Sequence, residues 1–213
     1  MKNSTRQLPR TSSMAGAAVF GALAGVMTVA IQIPYPVPGL QFLRFDAAEI
    51  VDSLAFLAFG PVVGLLTAVV HWLVLNFLPT TFPIFGPLLK LFAVVSTFLG
   101  MLIGHRVFLQ LGRRAGRRAG YGLITGFGLA SRVLIMTVVN YLFYIFVFVP
   151  GSSPSLAFWA AYLGGLGVFN AIHGVISIAL PITIMGALTR VAPHLASRMW
   201  ITGTKIAERQ SQR

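Results

Sequence analysis

The sequence predicts an all-α integral membrane protein, a bundle of six transmembrane helices with both termini in the cytoplasm. Three observations lead there. Of the 213 residues 56% are hydrophobic and only 9% charged, whereas a soluble chain of this length needs a surface that is about a quarter charged or more. The mean hydropathy is +0.84, so lipid must be the solvent over most of the surface. The apolar residues also fall in long runs, and the basic residues sit between or beyond those runs. That distribution assigns the net charge of +12 to retention on the cytoplasmic side and not to a nucleic-acid partner. The chain has no cysteine, which excludes disulfides and thiolate metal sites.

A polar cytoplasmic tail, residues 1–13, carries Lys2, Arg6 and Arg10. It precedes an apolar run over 14–33, long enough to span ~30 Å. This run has no evident small-residue cleavage site and is read as a helix that stays, not a signal peptide. Small residues recur along it at four-residue spacing, Ala18 with Ala22 and Gly21 with Gly25. Pro34, Pro36 and Pro38 stop it. A short segment, 39–46, leads to a run over 50–59, which Gly60-Pro61 separates from the next run, 62–78. Pro79, Pro83 and Pro87 punctuate a loop before the run 88–108. Gly112-Arg113-Arg114-Ala115-Gly116-Arg117-Arg118 reads as a loop outside the membrane, followed by a run over 121–148. A Gly/Ser/Pro turn at 150–154 precedes the last run, which ends near Leu188. The membrane domain thus spans 14–189 and 190–213 is a basic cytoplasmic tail; no internal repeat and no soluble domain is evident in the sequence.

Six helices put both termini on one side, and charge decides which. The N-terminal tail holds three basic residues, the 106–118 region five and the C-terminal tail five, all on one face, against only Arg44 and Lys90 on the other. The richer face is cytoplasmic.

Asp46, Glu49 and Asp52 fall within one heptad on the outer side. Asp46 stands where an N-cap belongs and Glu49 three residues on completes a capping-box spacing. A metal site or gate is the sharper reading, but no outer histidine offers itself as a ligand. Asp52, one turn inside the helix, needs a partner, for which Arg44 and Lys90 are available. Asn140 lies in the outer half of the fifth helix, and Asn170 and His173 share a face of the sixth. Interhelical hydrogen bonding and a small-molecule site near the outer face account for these three equally well. Arg132 is read as snorkelling towards the cytoplasm, with pairing inside the bundle second. His71 is read as a neutral buried histidine and His105 as interfacial. Enzymatic motifs are thin: no paired histidines at metal spacing, no glycine-rich phosphate loop and no GxSxG elbow. So few ionisable groups in the interior also argue against a proton-driven pump.

Phe42-Leu43-Arg44-Phe45-Asp46-Ala47-Ala48-Glu49-Ile50, followed by Phe59-Gly60-Pro61-Val62-Val63-Gly64, resembles the substrate-binding S components of energy-coupling-factor (ECF) vitamin transporters. The segment is most like the riboflavin-specific branch. Arg132 to Tyr141 (RVLIMTVVNY) is similar to that branch's fifth helix and Phe169-Asn170-Ala171-Ile172-His173-Gly174 to its sixth. The resemblance implies capture of a vitamin near the outer face by the first loop and helices four to six. It carries Asn140 and Asn170 onto asparagines that hydrogen-bond the flavin, and places His173 where the branch has a lysine. Ala47, Ala48 and Val51 stand for its Pro, Ser and Pro, and His71-Trp72 for a Lys-Asn pair. The implied partners are a transmembrane coupling subunit, docked on the small residues of the first helix (Ala18, Gly21, Ala22, Gly25), and two ATPase subunits. No resident cofactor is implied, riboflavin being the transported ligand.

The residues agree with that resemblance. A neutral, aromatic-lined pocket with a few amides suits a planar heterocycle with donors and acceptors on its edge. Phe42, Phe45, Tyr141, Tyr144 and Trp159 are candidate stacking surfaces, and Asp46 belongs to the same loop. Without a nucleotide-binding motif, energy must come from a partner chain. The small-residue stripe of the first helix serves equally as a docking face or as an internal packing face. The alternatives are an S component for another vitamin or a modified base, a non-transporting scaffold, and a small intramembrane enzyme. The last requires Asp52, His71 and His173 to converge.

Overall fold

The computed structural model describes residues 10–78, 82–111, 117–151, 153–192, 194 and 199–201. Helix α1 is Arg10–Ala30, and strands β1 (Gln32–Pro34) and β2 (Arg44–Asp46) follow it. The remaining helices are α2 (Ala48–Phe59), α3 (Pro61–Leu75), α4 (Phe85–Gln110), α5 (Arg117–Phe143) and α6 (Leu156–Val191). Four helical segments are long and apolar enough to cross a membrane: Ser13–Ala30, Phe85–Gln110, Ala119–Phe148 and Leu156–Val191. Helix α3 is apolar but shorter, and the 12 residues of α2 extend only ~18 Å.

Several boundaries differ from the sequence expectation for physical reasons. The proline segment after α1 is a small antiparallel hairpin, with Gln32 opposite Asp46, Ile33 opposite Phe45 and Pro34 opposite Arg44. Strands of three residues are too short to show a period of two. Helix α5 starts at Arg117, four residues earlier than expected, so Arg117 and Arg118 belong to the helix. It closes in a π-helical turn, Tyr144–Phe148. The rest of that basic loop, 112–116, and the tails 1–9 and 202–213 lie outside the described residues.

The α2–α3 joint is Gly60, at φ 98°, a conformation that residues with a Cβ rarely adopt. Pro61 then opens α3, where its missing N–H costs nothing. Helices α4 and α5 approach backbone to backbone: a Cβ on Gly100 would stand 2.1 Å from the Phe127 carbonyl oxygen, and one on Gly104 2.5 Å from that of Leu123. Helix α1 seats closely against α3, where Gly21 and Gly25 leave room for the side chains of Val70 and Val74. A core of Phe56, Leu57, Phe98, Met101, Ile124 and Ile178 joins α2, α4, α5 and α6. Leu134, Val138, Val168 and Ile172 are exposed on the outside, as expected where lipid replaces water.

Candidate functional site

The hairpin end of the bundle holds a partly open cavity of about 210 Å³. Residues from α1, the hairpin, α4, α5 and α6 line it, and so does the first turn of α2. Its chemistry is set by a buried cluster around Arg132, which is 1% exposed. The guanidinium pairs with both carboxylate oxygens of Glu49, across 83 residues of sequence. Nε donates to Asn170 Oδ1 at 3.2 Å, Nη1 reaches Thr97 Oγ1 at 3.4 Å and Nη2 reaches His173 Nδ1 at 3.5 Å. A guanidinium has five N–H groups, and each has an acceptor here. Ser177 Oγ stands 3.0 Å from Glu49 Oε2 and 2.7 Å from the His173 carbonyl oxygen, and its one hydrogen serves these two acceptors.

This arrangement also fixes the His173 ring. Its Nε2 lies 3.2 Å from the Asp46 carbonyl oxygen, which can only accept, so Nε2 carries the hydrogen. Nδ1 is then the bare nitrogen that accepts from Arg132. His173 thereby ties the end of β2 to α5. Asp46 does a second job, because its Oδ1 accepts the Ala48 N–H at 3.0 Å while Oδ2 pairs with Lys90. Lys90 is also 3.7 Å from Glu49. Two cations and two carboxylates thus neutralise each other within the cavity wall.

Of the remaining polar groups, Asn140 donates one N–H to the Met136 carbonyl at 2.7 Å and Asn170 one to that of Leu166 at 2.9 Å. Phe42, Phe82 and Phe169 supply apolar faces. Asn140, Asn170, His173 and Asp46 therefore come together on the cavity. Phe45 packs behind it, with ring centroids 4.7 Å from Phe169 and 5.6 Å from His173. Tyr141 is 39% exposed and lies outside the lining, 4.8 Å from Trp159. Tyr144 and Trp159 join it in that aromatic cluster. On α1 the stripe divides: Gly21 and Gly25 are buried against α3, and Ala18 and Ala22 are exposed.

Three sequence expectations need correction. Arg132 does not snorkel. It lies 15 residues into α5, ~22 Å along the axis and out of reach of the helix end, so it pairs within the bundle. Glu49 does not close a capping box, because its carboxylate is taken by Arg132. Asp52 meets neither Arg44, which bonds Gln32, nor Lys90, but pairs with His71 at 2.8 Å. Arg132, Glu49 and Lys90 were missed as site residues. The signal was present in the count, since an arginine within an apolar helix requires a carboxylate and the chain has few. Among the described residues, no group of three or more His, Asp or Glu is placed to hold a metal ion.

The hairpin end of this apolar helical bundle thus holds a cavity whose charged wall groups are paired with one another. Residues 12–185 match the family described as "ECF transporter, substrate-specific component", and the chain belongs to that family. Its members are the substrate-binding subunits of transporters, not enzymes. Membership implies association with an ECF module of coupling and ATPase subunits. The fold is similar to a solved chain described as "Structure and mechanism of the S component of a bacterial ECF transporter". That likeness has a TM-score of 0.63 at 23% identity, and covers 86% of this chain and 98% of the other. No curated protein matches the chain in sequence.

Proposed function

We propose that this subunit captures riboflavin in the hairpin-end cavity for uptake driven by partner ATPases. The observation that carries this reading is the chemistry left over in the wall. The charged groups cancel in pairs, while Asn140 retains its amide oxygen and one N–H, and Asn170 one N–H, beside the phenylalanine faces. That set suits a neutral planar heterocycle with a donor–acceptor edge. In this reading Asn140 and Asn170 bond the ring edge, and Asp46 and His173 hold the hairpin over the site with Phe45 behind it. Tyr141 serves the outer aromatic cluster. Both termini are cytoplasmic, α2 and α3 complete six crossings over 14–189, and the tails 1–13 and 190–213 stay in the cytoplasm. The exposed Ala18 and Ala22 dock on the coupling subunit, while Gly21 and Gly25 hold α1 to α3. The direct test is the absorbance of purified protein near the flavin bands, together with riboflavin uptake by riboflavin-dependent cells that supply the coupling module. Colourless protein that restores no growth refutes the riboflavin reading.

A second reading is another vitamin or a modified base. The engagement of both His173 nitrogens favours it, because the position that resembles a lysine then offers no free donor.

A further inference from the structure

A second buried hydrogen-bonded chain, separate from the Arg132 cluster, reaches the same cavity from α1. Asp52 of α2, His71 of α3 and Thr28 of α1 stand in line. His71 Nδ1 is 2.8 Å from Asp52 Oδ2, and His71 Nε2 is 3.0 Å from Thr28 Oγ1. Asp52 and His71 are fully buried, and Thr28 lines the cavity. Thr28 Oγ1 is also 3.1 Å from the Ala24 carbonyl oxygen. Ala24, Ala48 and Val51, with Phe20 and Met27, form an apolar cluster on the same two helices, α1 and α2.

Proton accounting decides what Thr28 can offer. The Ala24 carbonyl only accepts, so any bond between the two uses the single hydrogen of the threonine hydroxyl. If His71 Nε2 carries a hydrogen, it donates to Thr28, and the threonine hydrogen goes to Ala24. If Nε2 is bare, the same single hydrogen is drawn to Nε2 or to Ala24. In both states it is committed inside the bundle, so at the cavity that Thr28 lines its hydroxyl is left to accept and not to donate. The order of hydroxyl, imidazole and carboxylate is that of a hydrolytic triad, but the family is one of binding subunits. A fixed acceptor is therefore the use this chain has for it.

We propose that Thr28 is a specificity-determining residue that accepts a hydrogen bond from an N–H or O–H group of the ligand, with His71 and Asp52 as positioning residues that fix its hydroxyl. The proposal rests on the reading of this cavity as the substrate site. A ligand with an acceptor at that point meets lone pair against lone pair and is rejected.

The test uses the full chain in detergent, titrated with riboflavin, N3-methylriboflavin and lumiflavin. The second probe has lost the ring N–H and the third the ribityl hydroxyls. Thr28→Val is expected to weaken riboflavin by about 5- to 150-fold, with Thr28→Ser within about threefold of the parent. The Val penalty is expected to vanish for whichever analogue has lost the partner donor. His71→Phe should weaken riboflavin less, and adding it to Thr28→Val should cost nothing more, since both act through one hydroxyl. Equal riboflavin affinity in Thr28→Val and parent, or an equal penalty for all three flavins, overturns the proposal. If the parent binds no riboflavin, the riboflavin reading falls alone. The variants are then compared by mass spectrometry for the small molecule the parent retains on purification. Loss in Thr28→Val with retention in Thr28→Ser supports the acceptor role, and equal retention in Thr28→Val overturns it.

Discussion

Arg132 can be buried in this bundle because every hydrogen on its guanidinium has an acceptor and its charge has a carboxylate. An ion pair of this kind is a weak source of net stability, since desolvation of both charges offsets their attraction. Removing one partner is a different matter, for it strands the other away from water. Arg132→Leu or Glu49→Leu alone should each cost about 3–5 kcal/mol, read as a lowered thermal midpoint in detergent. The double replacement should melt closer to the parent than either single variant. If the double variant is instead the least stable of the three, the penalty of a stranded charge is not what destabilises the single variants. These residues were only partly legible in advance. The polarity of Asn140, Asn170 and His173 and their shared end of the bundle could be read from spacing along two helices. The partner of Arg132 could not, because Glu49 lies 83 residues away and only the fold brings them together. Glu49 also satisfied a local capping pattern, and the tertiary contact overrode it.

The helices were legible because apolar runs and Gly/Pro interruptions are strong signals, and the Gly60-Pro61 joint was visible as such. The β1–β2 pairing was not, since it is three residues long on each side. Equally hidden was which of the glycines press against a neighbour. Gly100→Ala should destabilise by about 1–3 kcal/mol, because α4 and α5 must separate to admit the methyl group. Gly122→Ala, with nothing within 4 Å of its added Cβ, should be neutral or gain up to about 1 kcal/mol from helix propensity. Thermal unfolding of the two variants checks this, and equal losses would remove the close-approach argument. The divided face of α1 gives a second contrast. Bulky residues at Ala18 and Ala22 should abolish uptake while leaving ligand affinity intact, as the docking proposal requires. The same change at Gly21 or Gly25 should lower the melting temperature, because Val70 and Val74 already fill that space. Uptake that survives at Ala18 and Ala22 would leave that face as a lipid-facing surface alone.

At the scale of the whole molecule, the proposed orientation puts the cavity outside and the basic segments inside, the side that the charge asymmetry favours. Single cysteines at Ser4, Ala115 and Ser211, in a chain that has no cysteine of its own, should resist an impermeant thiol reagent in intact cells. Labelling of Ala115 from outside would contradict the six-crossing topology. The central claim is that the hairpin-end cavity holds a flavin through its amides. Flavin fluorescence quenching of the purified protein tests it most directly, comparing the parent with Asn140→Leu and with Ser197→Ala in the C-terminal region as control. The account predicts saturable quenching by the parent, unchanged affinity in Ser197→Ala and an affinity about 5- to 150-fold weaker in Asn140→Leu. Parent protein that does not quench riboflavin, or an Asn140→Leu variant that binds it as tightly as the parent, would contradict it.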